Sequence, residues 1–180
     1  MADTAIKSEE GKQEYFDSPQ ELDKKITELA QLIKGSKHFV SFTGAGLSTG
    51  AGIPDYRSGA NTVMETGAGC WEKAANIQIA RKNGTLKHEQ VKGGLKTTIS
   101  KAQPTKGHMS MVQLMNKGYL KYIISQNVDG LHRKSGIPFD DIAELHGNTN
   151  LEICQKCETG YMRDFRVRNA QTCKEHRCTD

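Results

Sequence analysis

The residues best suited to chemistry fall in separate clusters. Thr43-Gly44-Ala45-Gly46-Leu47-Ser48-Thr49-Gly50-Ala51-Gly52-Ile53-Pro54-Asp55-Tyr56-Arg57 joins a glycine-rich loop to an acid and a base. Gly44 and Gly46 lack the Cβ atoms that would keep an anion away from backbone N–H groups. A helix starting near Ser48 would aim its positive end at a pyrophosphate. The spacing departs from the hydride-transfer fingerprint, because Gly44-x-Gly46 is followed by Gly50 where that fingerprint has glycine one residue earlier. The usual acidic ribose partner is also hard to place, since Glu65 lies in an irregular, glycine-rich stretch. The loop therefore reads as a dinucleotide site built for something other than hydride transfer, with a plain strand-to-helix turn as the alternative. Gln126, Asn127 and Asp129 form a polar run which, taken alone, is also a turn capping the next helix. His146 stands between an apolar segment and Gly147, and an imidazole titrates near neutral pH. Cys154-x-x-Cys157 and Cys173-x-x-x-x-Cys178 supply four soft thiolates, a set suited to a closed tetrahedral Zn2+ site with bonds of about 2.3 Å. His176 lies inside the wider second pair, so three cysteines with His176 is an open alternative. Cys70 is left over as an incidental or buried thiol.

Three stretches in register, the Gly44 to Arg57 loop, Ser125-Gln126-Asn127-Val128-Asp129-Gly130-Leu131-His132 and Glu144-Leu145-His146-Gly147-Asn148, resemble the sirtuin family of NAD-dependent protein-lysine deacylases. The Pro54-Asp55-Tyr56-Arg57 variant and the Arg133-Lys134-Ser135-Gly136-Ile137-Pro138 run look most like its nuclear, class IV branch. The resemblance implies a transferase-class deacetylase in which the acyl-lysine carbonyl oxygen attacks the nicotinamide ribose and expels nicotinamide. His146 would be the general base that helps deprotonate a ribose hydroxyl, and the products would be free lysine, nicotinamide and O-acyl-ADP-ribose. It places Asn127 with His146 as catalytic, and Asn127 and Asp129 at the nicotinamide and ribose, with Gln126 on a ribose. By the same resemblance Asp55 would face the nicotinamide end, Tyr56 and Arg57 would line the channel, and Gly44, Ala45, Gly46 and Thr49 would lie near the phosphates or ribose. It further implies a structural zinc on Cys154, Cys157, Cys173 and Cys178, acylated-lysine proteins including histones as partners, and a nuclear location, with the cytoplasm as the other choice. ADP-ribosyl transfer is the other reaction of the family on the same NAD site. The nuclear branch has a Trp shortly after the Arg of the glycine motif, whereas Val63 and Met64 stand there in this chain and Trp71 comes later.

The elements that must position these groups are legible from pattern. The fold class expected is α/β, a partial Rossmann-like parallel sheet with an inserted zinc-ribbon module. Residues 1–17 form a charged, disordered lead, 18–150 the N-terminal part of the NAD-binding domain and 151–180 the zinc module. Ser18-Pro19-Gln20-Glu21 gives an N-cap, a first-turn proline and a capping-box Glu. Leu22, Ile26, Leu29 and Ile33 then share one face of a helix that stops at Gly35 and packs on the sheet edge. His38 to Phe42 reads as a strand into the loop, Trp71 to Lys82 as a helix broken at Asn83-Gly84, and Pro104 as the lead into a helix carrying His108, Met109, Val112 and Met115 and closed by Gly118. Tyr119 to Ser125 is the strongest strand and delivers Gln126, Asn127 and Asp129 past its C-terminal end, where open parallel sheets bind ligands. Asp141 to Leu145 delivers His146 in the same way, Tyr161 to Phe165 is a ribbon strand, and His132 is an ordinary helix residue.

With 180 residues, 36% hydrophobic, the chain is long enough for a real core. No apolar run approaches the roughly 18 residues of a membrane span, and the polar first residues lack the pattern of a secretory or mitochondrial leader. The net charge of +4 is spread out, so the surface reads as solvated rather than as a nucleic-acid footprint. The family core continues past the zinc cysteines, while this chain stops at Thr179-Asp180. The expectation is a partial domain with an uncovered sheet edge and weakened NAD binding, which leaves a non-catalytic zinc-binding interaction module as the second reading.

Overall fold

The computed structural model describes residues 13–59, 62–85 and 101–167. The expected lead up to residue 12, Cys173, Cys178 and His176 lie outside them. Helix α1 spans Pro19–Gly35, and the Ser18 hydroxyl accepts the Glu21 N–H at 3.2 Å as its N-cap. Along its expected stripe Leu22, Ile26 and Leu29 are between 50% and 56% exposed, while Ile33 is half-buried. The expected packing of α1 on the sheet edge is thus not found, since no residue of the helix is buried. Periodicity specifies a stripe and not its cover. Among the described residues the sheet is only three strands wide, and it is α3 (Lys106–Asn116) that packs on it.

Strands β1 (Phe39–Thr43), β2 (Leu120–Ser125) and β3 (Ile142–Glu144) form a parallel sheet in that spatial order. Leu120, Ile123, Ile137 and Ile142 make the buried cluster, and Met111, Val112, Leu114 and Met115 of α3 pack against it. Gly118, at φ +75°, lets the chain leave α3 and reverse into β2, where Tyr119 N–H reaches the Leu114 carbonyl at 3.0 Å. Helix α2 (Cys70–Lys82) ends at Asn83 as its breaker predicts. The short helix α4 (Leu131–Lys134) follows β2. Strands β4 (Leu151–Ile153) and β5 (Gly160–Met162) form a separate antiparallel pair.

The glycine loop differs from expectation in detail. A 3-10 helix runs over Ala45–Ala51 instead of an α-helix starting near Ser48, and it closes at Gly52 with φ +81°. Gly46 and Gly50 inside so short a stretch remove the packing and entropy terms that favour regular α turns.

Candidate functional site

The register pairs Thr43 with Ser125 and Ser125 with Glu144, so all three parallel strands end on one line. Gly44, Gln126 and Leu145-His146 leave from that line together, which is where an open parallel sheet exposes a crevice. The backbone ties the exits laterally: Gln126 N–H donates to Thr43 O at 3.0 Å and Leu145 N–H to Ser125 O at 2.9 Å.

The glycine loop is pinned to the end of β2 by side chains. Asn127 Nδ2 donates to Gly44 O at 3.1 Å and to Ser48 Oγ at 3.2 Å, and the Ser48 hydroxyl donates to Asp129 Oδ2 at 2.6 Å. The other Asp129 oxygen accepts Leu131 N–H at 2.9 Å and so starts α4. Asn127, Asp129 and Ser48 are all buried. Both oxygens of Asp129 and both amide hydrogens of Asn127 are thus committed within the protein, whereas Asn127 Oδ1 has no hydrogen-bond partner among the described residues. Ser48 is the member that motif reading passed over; its only sequence signal was its place between Gly46 and Gly50. Thr49 donates to Gly46 O at 2.9 Å, inside the loop. A Cβ built on Gly44 or Gly46 would meet no atom within 4 Å, so open space lies before both. That space fits a dinucleotide phosphate approaching the backbone.

His146 is exposed at the third position of a four-residue turn that closes when Gly147, at φ +75°, donates its N–H to Glu144 O at 3.0 Å. Its Nδ1 lies 2.9 Å from the Gln126 carbonyl oxygen. A carbonyl only accepts, so Nδ1 carries the hydrogen and Nε2 of the neutral ring keeps a lone pair. The turn is braced from behind. Glu144 Oε2 pairs with Arg133 Nε at 2.7 Å, with both side chains under 9% exposed, while Glu144 Oε1 accepts from Asn148 Nδ2 at 2.7 Å. The Arg133 guanidinium also sits 4.2 Å over the Phe139 ring.

Asp55, Tyr56 and Arg57 form a distinct cluster. Asp55 accepts from the Ser58 hydroxyl at 2.7 Å and from Ser58 N–H at 3.2 Å. Tyr56 packs on Trp71 with centroids 5.2 Å apart, and Arg57 lies 5.5 Å over the same indole. Trp71, late in sequence, is therefore brought back to the Asp-Tyr-Arg segment by α2. Gly69 permits it: a Cβ there would stand 2.5 Å from the Tyr56 carbonyl carbon.

His132 is buried, with Nε2 2.9 Å from Thr43 Oγ1. Burial, with the neighbouring His108 ring second, pushes its pKa down to about 4 against the opposing pull of Asp129. It is thus a neutral core residue beside the site, more than the plain helix residue its position in the sequence implies.

Cys154 and Cys157 stand in the turn between β4 and β5, where Cys154 N–H donates to Thr159 O at 3.0 Å and Glu158 N–H to Cys154 O at 2.9 Å. Both are thiols, as is Cys70. Among the described residues no cluster of three or more His, Cys, Asp or Glu side chains is placed to hold a metal, and Cys173 and Cys178, the other expected ligands, fall outside them. A cavity of about 260 Å3 is lined by Asp129, Gly130, Arg133, Asn150, Met162 and Arg163 among others.

A protein-family model described as the Sir2 family matches residues 44–180. The chain is 43% identical over 159 residues to the NAD-dependent protein deacetylase SRT1 of Oryza sativa subsp. indica, covering 87% of this chain and 28% of that protein. It is 41% identical to NAD-dependent protein deacetylase Sirt6 of Drosophila melanogaster, covering 84% of this chain and 41% of that one. A solved Sir2 homologue mutant in complex with ADP-ribose is 28% identical, with a TM-score of 0.51, over 82% of this chain and 58% of that chain. The chain thus spans well under half the length of these two curated relatives.

Proposed function

The chain belongs to the Sir2 family, and on that premise we propose that it carries the NAD-facing glycine loop and general base of a protein-lysine deacetylase. The observation that supports this most is the common line on which Gly44, Gln126 and His146 leave the three strands, with His146 Nδ1 bound to the Gln126 carbonyl and its Nε2 lone pair left over.

NAD supplies a ribose whose nicotinamide can be displaced by the acyl-lysine carbonyl oxygen. The chain's own residues do the rest. Gly44, Ala45, Gly46 and Thr49 face the phosphates with backbone, and Asn127 offers Oδ1 to the nicotinamide side. Gln126 meets a ribose, and Asp129 holds Ser48 and through it the loop. Asp55, Tyr56 and Arg57, backed by Trp71, line the approach to the site. His146 Nε2 accepts the proton of a ribose hydroxyl, which a neutral imidazole does near neutral pH. Residues 18–150 form the dinucleotide domain, and 151–180 form a zinc module in which Cys154, Cys157, Cys173 and Cys178 hold one structural Zn2+. Acylated-lysine proteins, histones among them, are the substrates and the nucleus the location, as the resemblance of the Pro54 to Arg57 and Arg133 to Pro138 segments to the nuclear branch implies.

The test is nicotinamide release from NAD with an acetyl-lysine peptide. Release by the chain that disappears in His146→Ala is the expected result. No release, with zinc bound stoichiometrically, would instead favour a non-catalytic zinc-binding module. Transfer of label from NAD to protein without lysine deacetylation would favour ADP-ribosyl transfer.

A further inference from the structure

The turn that presents His146 is tied to the β4–β5 hairpin by two asparagines that no step above employs. Asn148 Nδ2 donates to Glu144 Oε1 at 2.7 Å, and Asn148 Oδ1 accepts the Asn150 N–H at 2.9 Å. An ionised carboxylate only accepts and a backbone N–H only donates, so the amide of Asn148 sits one way round. The first bond joins side chains four residues apart. It closes from outside the same turn that Gly147 N–H closes on Glu144 O at 3.0 Å. The second bond leads into β4. Asn150 is buried and commits both hydrogens of its amide to the segment after β5, donating to Phe165 O at 2.9 Å and to Arg163 O at 3.3 Å. Backbone bonds run beside them, from Arg163 N–H to Asn150 O at 2.7 Å and from Thr149 N–H to Val128 O at 2.9 Å. Asn148 is also confined laterally, because a Cβ on Gly130 would stand 3.0 Å from its Oδ1 and 3.3 Å from Met162 Cε of β5.

We propose that Asn148 is a positioning residue for His146: it holds the exit of the turn to Glu144 and, through Asn150, refers that turn to the hairpin. Glu144 is a fixed point, since its other oxygen pairs with Arg133 Nε at 2.7 Å and both side chains are buried. His146 lies two residues before Asn148, inside the closed segment, and its Nδ1 meets Gln126 O at 2.9 Å from there. That carbonyl selects the ring with its hydrogen on Nδ1, whereas an untethered imidazole in water favours hydrogen on Nε2. With the Asn148 to Glu144 bond cut, the exit swings free and the ring loses its carbonyl. Nε2 then carries a hydrogen where proton abstraction needs a lone pair. The catalytic weight of Asn148 rests on the reading of His146 as general base, whereas the tie itself does not.

The full chain is compared as wild type, Asn148→Ser and Asn148→Asp. Both replacements keep an acceptor for the Asn150 N–H, because Ser and Asp form the same local turn. Ser is too short to reach Glu144, and Asp sets a second carboxylate against it. The imidazole 15N spectrum of His146 at neutral pH, without ligand, is read beside the backbone amides of Leu151–Ile153. Expected are hydrogen on Nδ1 in wild type, a shift toward Nε2 in both variants, and β4 amides that stay in place. A residue that merely starts β4 would leave the imidazole unchanged in both. With NAD and an acetyl-lysine peptide, kcat for deacetylation should fall roughly tenfold to a hundredfold while KM for NAD stays within about twofold, the pattern of a misplaced base. An imidazole spectrum equal to wild type in both variants, or a wild-type ring with its hydrogen on Nε2, would overturn the proposal. A loss carried by KM alone would overturn it as well. No turnover by wild type alongside the expected spectra refutes the general-base reading and upholds Asn148 as the residue that sets the ring.

Discussion

The Ser48 hydroxyl donates to Asp129 Oδ2 at 2.6 Å, joining two segments that lie 81 residues apart. Through this bond, and through Asn127 to Gly44 O, the glycine loop hangs from the end of β2 and not only from the strand that precedes it. Ser48→Ala leaves a buried carboxylate oxygen and an Asn127 amide hydrogen short of a partner. The expected cost is about 1–3 kcal/mol of stability, measured by urea unfolding, with Ser48→Thr closer to wild type. A change under a few tenths would mean that the loop is held by other contacts.

Gly69 is required by the approach of α2 to the Tyr56–Arg57 backbone. Trp71 is the single tryptophan of the chain, so its fluorescence reports that contact. Gly69→Ala should red-shift and weaken Trp71 emission, as the indole loses Tyr56 and Arg57 to solvent. Unchanged emission would show that the stack does not depend on the close backbone approach.

The Arg133–Glu144 pair is buried and braces the His146 turn. Removing one partner strands the other charge away from water, so Glu144→Gln should cost about 3–5 kcal/mol in denaturant unfolding. The same variant should weaken the peptide-dependent reaction even at temperatures where the chain stays folded. A loss below about 1 kcal/mol would place the pair on a solvated surface.

His132 sets a pH dependence whose sign is fixed by its folded pKa of about 4, below the ordinary value of 6.5. Between those values the unfolded chain binds the proton and the folded chain does not. Its share of stability is therefore complete above about pH 6.5, declines as pH falls and levels off near pH 4. Urea midpoints measured across this window should fall toward acid in wild type, with a shallower slope in His132→Gln. Parallel slopes would show that carboxylates alone carry the acid sensitivity.

The hairpin thiols make metal removal informative. The purified chain should carry about one Zn2+, and Cys154→Ser or Cys157→Ser should lower the metal content measured by mass spectrometry. Chelation should unfold the β4–β5 hairpin before the parallel sheet, because the ion substitutes for a core that this small module lacks. Full metal retention in both variants would exclude these two ligands.

Local chemistry was legible along the chain. The Ser18 cap and Pro19, the Asn83 stop, the exit at Gly118 and the strand at Leu120–Ser125 appear where composition places them, since caps, breakers and β-branched runs act within a few residues. The same locality let the glycine loop and the ends of β2 and β3 be picked out as candidate ligand-facing segments, and the register brings their ends onto one line. Tertiary structure alone decided that Ser48 would bridge Asn127 and Asp129, that Trp71 would fold back on Tyr56, and that His108 and His132 would meet behind the loop. Each of these joins segments far apart in sequence, and no periodicity records which distant partner a buried polar group will find. The exposed stripe of α1 is the complementary case. Its period is written in the chain, but what covers a helix depends on the width and neighbours of the sheet.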